Sequence, residues 1–137
     1  MERFELPERW EWVTIGNKKY FSLIMGQSPP SKSYNIEGKG LPFFQGKAEF
    51  GEMYPRAKKF CTEPSREAEK DDILISVRAP VGPTNIADQK CCIGRGLAAI
   101  RCTKNILPKY MIYTLRSIAT EIAWNSDIRI KRDTLIP

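Results

Sequence analysis

Apolar residues occur along this chain in short runs, separated by polar stretches that contain glycine and proline. In KDDILISVRAPVG, residues 70–82, the apolar run at 73–77 is mostly β-branched and is bounded by charge on one side and by Pro and Gly on the other. This pattern predicts a buried strand. Arg78 stands where the chain leaves that strand, so it either covers the strand end, pairs with Asp71 or Asp72, or reaches a ligand.

The same kind of pattern predicts a series of further short strands. They are expected at 10–15 (WEWVTI), at 41–46 (LPFFQG), near 58–61, and two or three times within 83–102, with an interruption at Gly94-Arg95-Gly96. The run KKYFSLIM at 18–25 fits a short helix as well as a strand, because short apolar runs do not separate the two. Residues 26–40 form a long loop rich in Gly, Ser and Pro, and such loops in compact domains are often functional.

One segment has the periodicity of a helix, LPKYMIYTLRSIATEIAW at 107–124. Pro108 suits its first turn, and an apolar stripe recurs along one face at Met111, Leu115, Ile118 and Ile122. Many short strands with few helices predict an α+β domain, with a curved or barrel-like, mostly antiparallel sheet and a C-terminal amphipathic helix. Three tryptophans are expected to pack in the core rather than to form a base-stacking surface: Trp10, Trp12 and Trp124.

Length and composition are those of one globular domain. The chain has 137 residues, of which 42% are hydrophobic and 28% charged. No apolar run approaches the roughly 20 residues of a membrane span, and no basic segment precedes an apolar one as in a secretory signal. We therefore expect a cytoplasmic protein without a membrane partner.

The charge balance is basic. Lys and Arg number 22 against 16 Asp and Glu, which gives a net charge of +6. The excess is larger in the second half, where residues 71–137 carry 10 basic and 6 acidic side chains. This surplus permits a polyanionic partner, and it directs the search for a nucleic-acid surface to the residues after 70.

Several kinds of catalytic site are disfavoured. The chain has no histidine, so Ser-His-Asp and Cys-His catalysis are excluded. Its four cysteines form no C-x-x-C pair, and the adjacent Cys91 and Cys92 are expected to be small packing residues. A small enzyme that binds a metal or a nucleotide through Asp71 and Asp72 stays open as an alternative, although neighbours on a strand point to opposite sides. We expect no cofactor and no bound metal.

Five motifs occur in one order along the chain: LPERWEWVTIG, the G-Q-S-P that begins at Gly26 with a tyrosine downstream, LPFFQG, DDILISVRAPVG and CCIGRGLAAIR. Together they resemble the target recognition domain of the specificity subunit of Type I restriction–modification enzymes, from about Leu6 to Pro137. The resemblance implies a domain that recognises one half of a split DNA sequence and is itself non-catalytic. It also implies a parent subunit in which two such domains are joined by long helices that dock the methyltransferase subunits.

The chain departs from a full specificity subunit at its C-terminal end. It stops at Leu135-Ile136-Pro137, where the family continues into a long spacer helix, and it contains no second recognition domain. We therefore expect residues 1–137 to be a single target recognition domain, a fragment or one module of a larger specificity subunit. Double-stranded DNA is its expected partner, whereas the methyltransferase and restriction subunits are expected to bind the parent rather than this piece alone.

The candidate DNA contacts are basic, amide and tyrosine side chains in loops and at strand ends. They are Lys32, Tyr34, Gln45, Lys47, Arg78, Arg95, Arg129, Lys131 and Arg132. Each has a plain alternative as a solvated surface residue, as do the pairs Lys18-Lys19 and Lys58-Lys59. RNA binding is a further alternative for a basic domain of this class, but it usually requires aromatic residues displayed on an open sheet.

Overall fold

The computed structural model of the chain describes residues 6, 8, 10–78 and 82–117, and the backbone of 127–131. Its strands are β1 (Trp10–Thr14), β2 (Phe21–Met25), β3 (Tyr34–Asn35), β4 (Leu41–Phe44), β5 (Lys59–Cys61), β6 (Glu67–Ala68), β7 (Ile73–Ser76), β8 (Thr84–Ile86), β9 (Cys91–Ile93), β10 (Leu97–Cys102) and β11 (Asp127–Lys131). Helix α1 spans Pro108–Ser117, and single 3₁₀ turns occupy Ser31–Ser33 and Lys47–Glu49.

The described strands form three sheets. A four-stranded sheet has the order β2-β10-β7-β8, a five-stranded sheet has the order β3-β5-β4-β9-β6, and β1 pairs with β11. Every pair is antiparallel except β4 with β9. The predicted α+β class with mostly antiparallel strands is confirmed. The barrel-like alternative is not, because over the described ranges the sheets stay separate and none closes into a barrel.

Strand β7 is buried on both faces, which explains its unbroken apolar run. Ile73 and Ile75 pack in a cluster with the buried side of α1, whereas Leu74 between them packs in a second cluster with Phe44 and Ile93. Successive side chains of a strand point to opposite faces, so the four-stranded sheet lies between α1 and the five-stranded sheet. The buried strand predicted at 73–77 is confirmed at Ile73–Ser76.

Helix α1 begins at Pro108, as predicted, and buries Met111, Ile112 and Leu115. Arg116 fastens its last turn to β8, because its guanidinium donates to Thr84 Oγ1 at 3.1 Å and to the Thr84 carbonyl at 3.0 Å. The rest of the predicted stripe, Ile118 and Ile122, and also Trp124, lie outside the described residues. Within the described part of the chain, no helix is long and apolar enough to cross a membrane.

The ambiguous run at 18–25 is a strand. Phe21 to Met25 pair antiparallel with Cys102 to Ala98, and Phe21 is buried. Trp10 and Trp12, on β1, are half-buried, and the ring of Trp10 meets Tyr110 edge-on at 6.5 Å between centroids. Packing rather than base stacking is therefore the environment of Trp10.

An ion pair between a buried carboxylate and a partly exposed guanidinium accounts for one of the two acids before β7. Asp72 accepts from Arg101 Nε at 3.0 Å and Nη2 at 2.8 Å, and from the Glu69 amide at 2.8 Å. Asp71 is exposed and has φ 74°, so the strand begins only at Ile73. The option that Asp72 pairs with Arg78 is wrong, because its carboxylate is already bound by Arg101.

The cysteines are packing residues, as predicted for Cys91 and Cys92. Both are buried, together with Cys61, and all four cysteines are free thiols. Burial raises the pKa of Cys91 to about 12, of Cys92 to about 11 and of Cys102 to about 12. No group of three or more metal-ligating side chains occurs among the described residues.

We predict that the folded chain resists thiol modification. With pKa values of about 11 to 12, the thiolate fraction of Cys91, Cys92 and Cys102 at about pH 8 is on the order of one in a thousand or less. A chromogenic disulfide reagent should therefore titrate almost no thiol in the native protein and all four after denaturation. One rapid stoichiometric reaction in the native state would contradict this packing.

Candidate nucleic-acid interface

The four-stranded and five-stranded sheets are joined at one place by backbone hydrogen bonds. We call this place the glycine junction and define it by Gly26, Gly94 and Gly96. Two of these bonds cross between the sheets, from Gly96 N to Gln45 O (2.9 Å) and from Gln27 N to Ile93 O (3.1 Å). On the four-stranded side Gly26 N donates to Leu97 O (2.9 Å) and Val77 N to Gly96 O (3.0 Å), and on the five-stranded side Gly94 N donates to Phe44 O (2.8 Å).

The junction requires residues without side chains, because backbone segments touch there. A Cβ on Gly26 would lie 1.9 Å from the carbonyl oxygen of Gly94. A Cβ on Gly96 would lie 2.6 Å from the carbonyl oxygen of Gln45, and one on Gly94 would lie 3.0 Å from Gln45 Cα. The glycines thus serve close approach of the backbone. Residues 94–96 form a turn between β9 and β10 with Arg95 exposed, and since these strands belong to different sheets the turn is not a hairpin.

Gln45 and Arg95 are exposed side by side on the junction, and Ser28 links them. The Ser28 hydroxyl donates to Gln45 Oε1 at 3.1 Å and accepts from the Arg95 amide at 3.4 Å. The amide nitrogen of Gln45 keeps both of its protons for an outside acceptor, as far as the described residues show. Ser28 lies within the G-Q-S-P motif but was not among the predicted contacts, and its place in that motif is the only sequence signal for it.

Arg78 lies beside this pair. It directly follows Val77, whose amide donates to Gly96 O at 3.0 Å, and its side chain is exposed. Over the part of the chain that is described, neither Arg78 nor Arg95 forms a salt bridge. Two guanidinium groups and one amide therefore stand near one another, and among the described residues neither guanidinium has an ion-pair partner. Pro80, the proline that follows Arg78 in the sequence, lies outside the described residues.

The predicted loop residues divide into exposed and packed ones. Lys47 is exposed in the 3₁₀ turn that follows Gln45, and Lys32 is exposed in the 3₁₀ turn Ser31–Ser33. Tyr34 is half-buried, since its hydroxyl donates to the Pro29 carbonyl at 3.0 Å and its ring lies 4.8 Å from that of Phe43. Tyr34 thus holds the loop on the five-stranded sheet.

The remaining predicted contacts are placed elsewhere in the fold. Arg129 and Lys131 are on β11, opposite Trp12 and Trp10, near the start of α1. The glycine junction is at the other end of β10, a strand of six residues and thus about 17 Å long. The structure therefore groups Gln45, Arg78 and Arg95 but does not bring β11 to them, and Arg132 lies outside the described residues.

The chain is similar in sequence to one curated protein and in sequence and fold to solved structures. No protein-family model matches the chain. It is 56% identical over 109 residues to a provisionally named type I restriction enzyme MjaX specificity subunit of Methanocaldococcus jannaschii. The aligned residues make up 80% of this chain and 26% of that protein. These similarities, with those of the solved structures below, confirm the resemblance that the sequence motifs predicted.

Two solved structures share both sequence and fold. One comes from work on complex assembly and conformational transition of the type I R-M system, with a TM-score of 0.87, 44% identity, and coverage of 95% of this chain and 36% of that one. The other is the HsdS subunit of Thermoanaerobacter tengcongensis, with a TM-score of 0.85, 44% identity, and coverage of 94% of this chain and 35% of that one. A third, the S subunit of M. genitalium, has a TM-score of 0.69 at 19% identity over 91% of this chain and 35% of that one, and supports the fold alone. The chain thus spans about a quarter to a third of these relatives.

We predict that Gly26→Ala destabilises the fold by about 1–3 kcal/mol, because its Cβ would overlap the Gly94 carbonyl and force the two sheets apart. Gly46→Ala is the matched control, since a Cβ there meets nothing within 4 Å and its φ of −160° is ordinary extended backbone. Urea denaturation of both variants measures the difference. Equal stability of the Gly26 variant and the parent would show that the junction is looser than described.

Proposed function

We propose, on the premise that this chain is similar to part of type I restriction enzyme specificity subunits, that it is a target recognition domain. It binds double-stranded DNA, recognises one half of a bipartite sequence, and catalyses no reaction itself. The observation that carries the proposal is the 56% identity over 109 residues to a specificity subunit. Because its ligand is cellular DNA, we expect the protein to act in the cytoplasm.

We propose further that residues 1–137 act as one recognition module. The chain's extent, about a third of each specificity-subunit structure, leaves room in such a protein for a second domain and for connecting helices. Contacts with methyltransferase and restriction subunits belong to that larger assembly. The neighbour from the work on type I R-M complex assembly supports this part of the proposal.

The exposed groups at the glycine junction suit recognition of duplex DNA. An arginine fork binds a phosphate, or pairs with O6 and N7 of guanine, and a glutamine amide pairs with N6 and N7 of adenine. Arg78 and Arg95 meet the first requirement and Gln45 meets the second. The backbone beside them is held by hydrogen bonds from Val77 N to Gly96 O and from Gly96 N to Gln45 O, so little backbone freedom is lost when DNA binds.

Other basic residues extend this surface as phosphate contacts. Lys47 and Lys32 are exposed on the loops after β4 and β2. We propose the same role for Arg129, Lys131 and Arg132, which would contact the backbone of the duplex at a separate point. Phosphate contacts of this kind fix the position of a protein on DNA without reading its sequence.

Two alternatives have less support. An acid-dependent enzyme would need Asp72, whose carboxylate is bound by Arg101 and by the Glu69 amide. RNA binding through stacked bases would need aromatic side chains on a sheet surface. The exposed aromatic residues in the described part of the chain, Tyr54 and Tyr113, lie on a loop and on α1.

We predict that the chain binds random duplex DNA weakly at low salt and that this binding weakens steeply as salt is added. In Arg78→Ala or Arg95→Ala, the slope of log K against log salt should fall by about one unit if the residue contacts phosphate. If it reads guanine, the loss should be about 1–3 kcal/mol and confined to sequences with that base.

Fluorescence anisotropy over a salt series measures these slopes. Lys90→Ala is the matched control, since it removes one exposed positive charge that Glu67 already pairs at 3.5 Å, at the end of β9 away from the glycine junction, and its slope should change less. Unchanged DNA binding of both arginine variants, with a lower melting temperature, would assign Arg78 and Arg95 structural roles. Absence of any salt-sensitive DNA binding by the parent chain would overturn the proposed function.

A further inference from the structure

The loop between β3 and β4 carries the most exposed large hydrophobic side chain in the described part of the chain. Ile36 is 80% exposed, against 59% for Tyr113, the next highest. Single apolar residues on a surface are common and need no special explanation. What distinguishes Ile36 is that the loop around it is rigidly built.

Asn35 gives this loop, residues 35–40, its shape. Its Oδ1 accepts from the amides of Glu37 at 3.2 Å and Lys39 at 3.0 Å, and its Nδ2 donates to the Lys39 carbonyl at 2.9 Å. Gly38 and Gly40 have φ of 87° and 86°, values that favour glycine. One side chain thus closes the loop on itself, as asparagine does in tight turns.

The base of the loop is anchored to the folded core. Asn35 pairs with Phe60 where β3 meets β5, and the ring of Tyr34 packs on buried Phe43. Gly40 lies so close to β5 that a Cβ would be 2.1 Å from the Cys61 carbonyl oxygen. Ile36 is therefore presented at a fixed position, and holding it there on binding costs little entropy.

The surroundings of Ile36 are mostly basic, with Glu37 at the tip and Glu49 near Lys58 and Lys59. Lys32, Lys39, Lys58 and Lys59 are all exposed on this loop or next to it, and Lys59 lines a shallow depression with Tyr34, Asn35, Ile36 and Glu37. Glu37 Oε2 accepts from the Ile36 amide at 3.0 Å, which keeps this carboxylate beside the isoleucine. The flanks therefore suit phosphates, whereas the tip does not.

The tip matches the floor of the DNA major groove. A carboxylate accepts from the amino groups that cytosine and adenine display there, and an apolar side chain packs on the 5-methyl group of thymine. The minor groove presents only acceptors from A·T pairs, so Glu37 would be repelled from it. The pairing of an isoleucine with a glutamate thus favours the major groove.

We propose that loop 35–40 enters the major groove and that Ile36 packs against the methyl group of thymine, while the neighbouring lysines contact phosphates on the groove edges. This inference rests on the proposed DNA-binding function. It adds a base-reading residue on the five-stranded sheet, separate from the arginines of the glycine junction.

Thymine and uracil provide the test, because they pair identically and differ only by this methyl group. The full chain is titrated at low salt with a short duplex of alternating adenine and thymine, and with the same duplex containing uracil in place of thymine. Removing one buried methyl contact should weaken binding about fourfold. Ile36→Ala should bind both duplexes equally, at the weaker affinity of the parent for uracil.

Tyr113→Ala is the matched control, since it also removes an exposed apolar side chain, from α1 rather than from the loop. It should keep the fourfold preference for thymine, and unchanged melting temperatures exclude unfolding of either variant. Equal binding of the parent to both duplexes, or an undiminished preference in Ile36→Ala, would overturn this inference and leave the proposed DNA binding intact. No binding to either duplex would instead refute the proposed function.

Discussion

Close backbone contact at Gly26, Gly94 and Gly96 is the constraint on which the arrangement of this molecule depends. It joins the sheet that carries α1 to the sheet that carries loop 35–40, and hydrogen bonds from Gly96 N to Gln45 O at 2.9 Å and from Gln27 N to Ile93 O at 3.1 Å cross between the two sheets there. Because no side chain fits between the segments, the two sheets have one relative position. The same contact sets Gln45 and Arg95 next to each other. Stability and the proposed recognition surface therefore share the same residues.

The two ends of the four-stranded sheet differ in charge. At the start of β7, buried Asp72 neutralises Arg101 of β10. At the other end, about 13 Å along the strand, Arg78 and Arg95 emerge without an acidic partner among the described residues. Two cationic side chains thus stand without an ion-pair partner at a place where a polyanion could meet them. Local distribution rather than total charge supports DNA as the ligand.

Sequence patterns predicted the elements that local residues decide, such as buried β7, β4 and the start of α1 at Pro108. They left open what depends on distant partners. The run at 18–25 contains a strand, Phe21–Met25, because β10 pairs with it. The carboxylate of Asp72 binds Arg101, which is 29 residues away in the sequence. The contact between the two larger sheets is made at the glycine junction, which the sequence showed only as scattered glycines. Within the candidate site, Arg78 and Arg95 were predicted as contacts, whereas Ser28 and Ile36 were not. For Ile36 the reason is that no local sequence pattern separates an exposed isoleucine from a buried one.

An NMR titration of the isotope-labelled chain with a short DNA duplex tests most directly whether the glycine junction and loop 35–40 both meet DNA. Amide shifts should concentrate at residues 26–28, 45 and 94–96, and in loop 35–40. The amide of Tyr113, on the exposed side of α1 and beyond its first turn, should stay nearly unchanged. Shifts centred on α1, or a spectrum that DNA does not alter, would contradict the proposed surface.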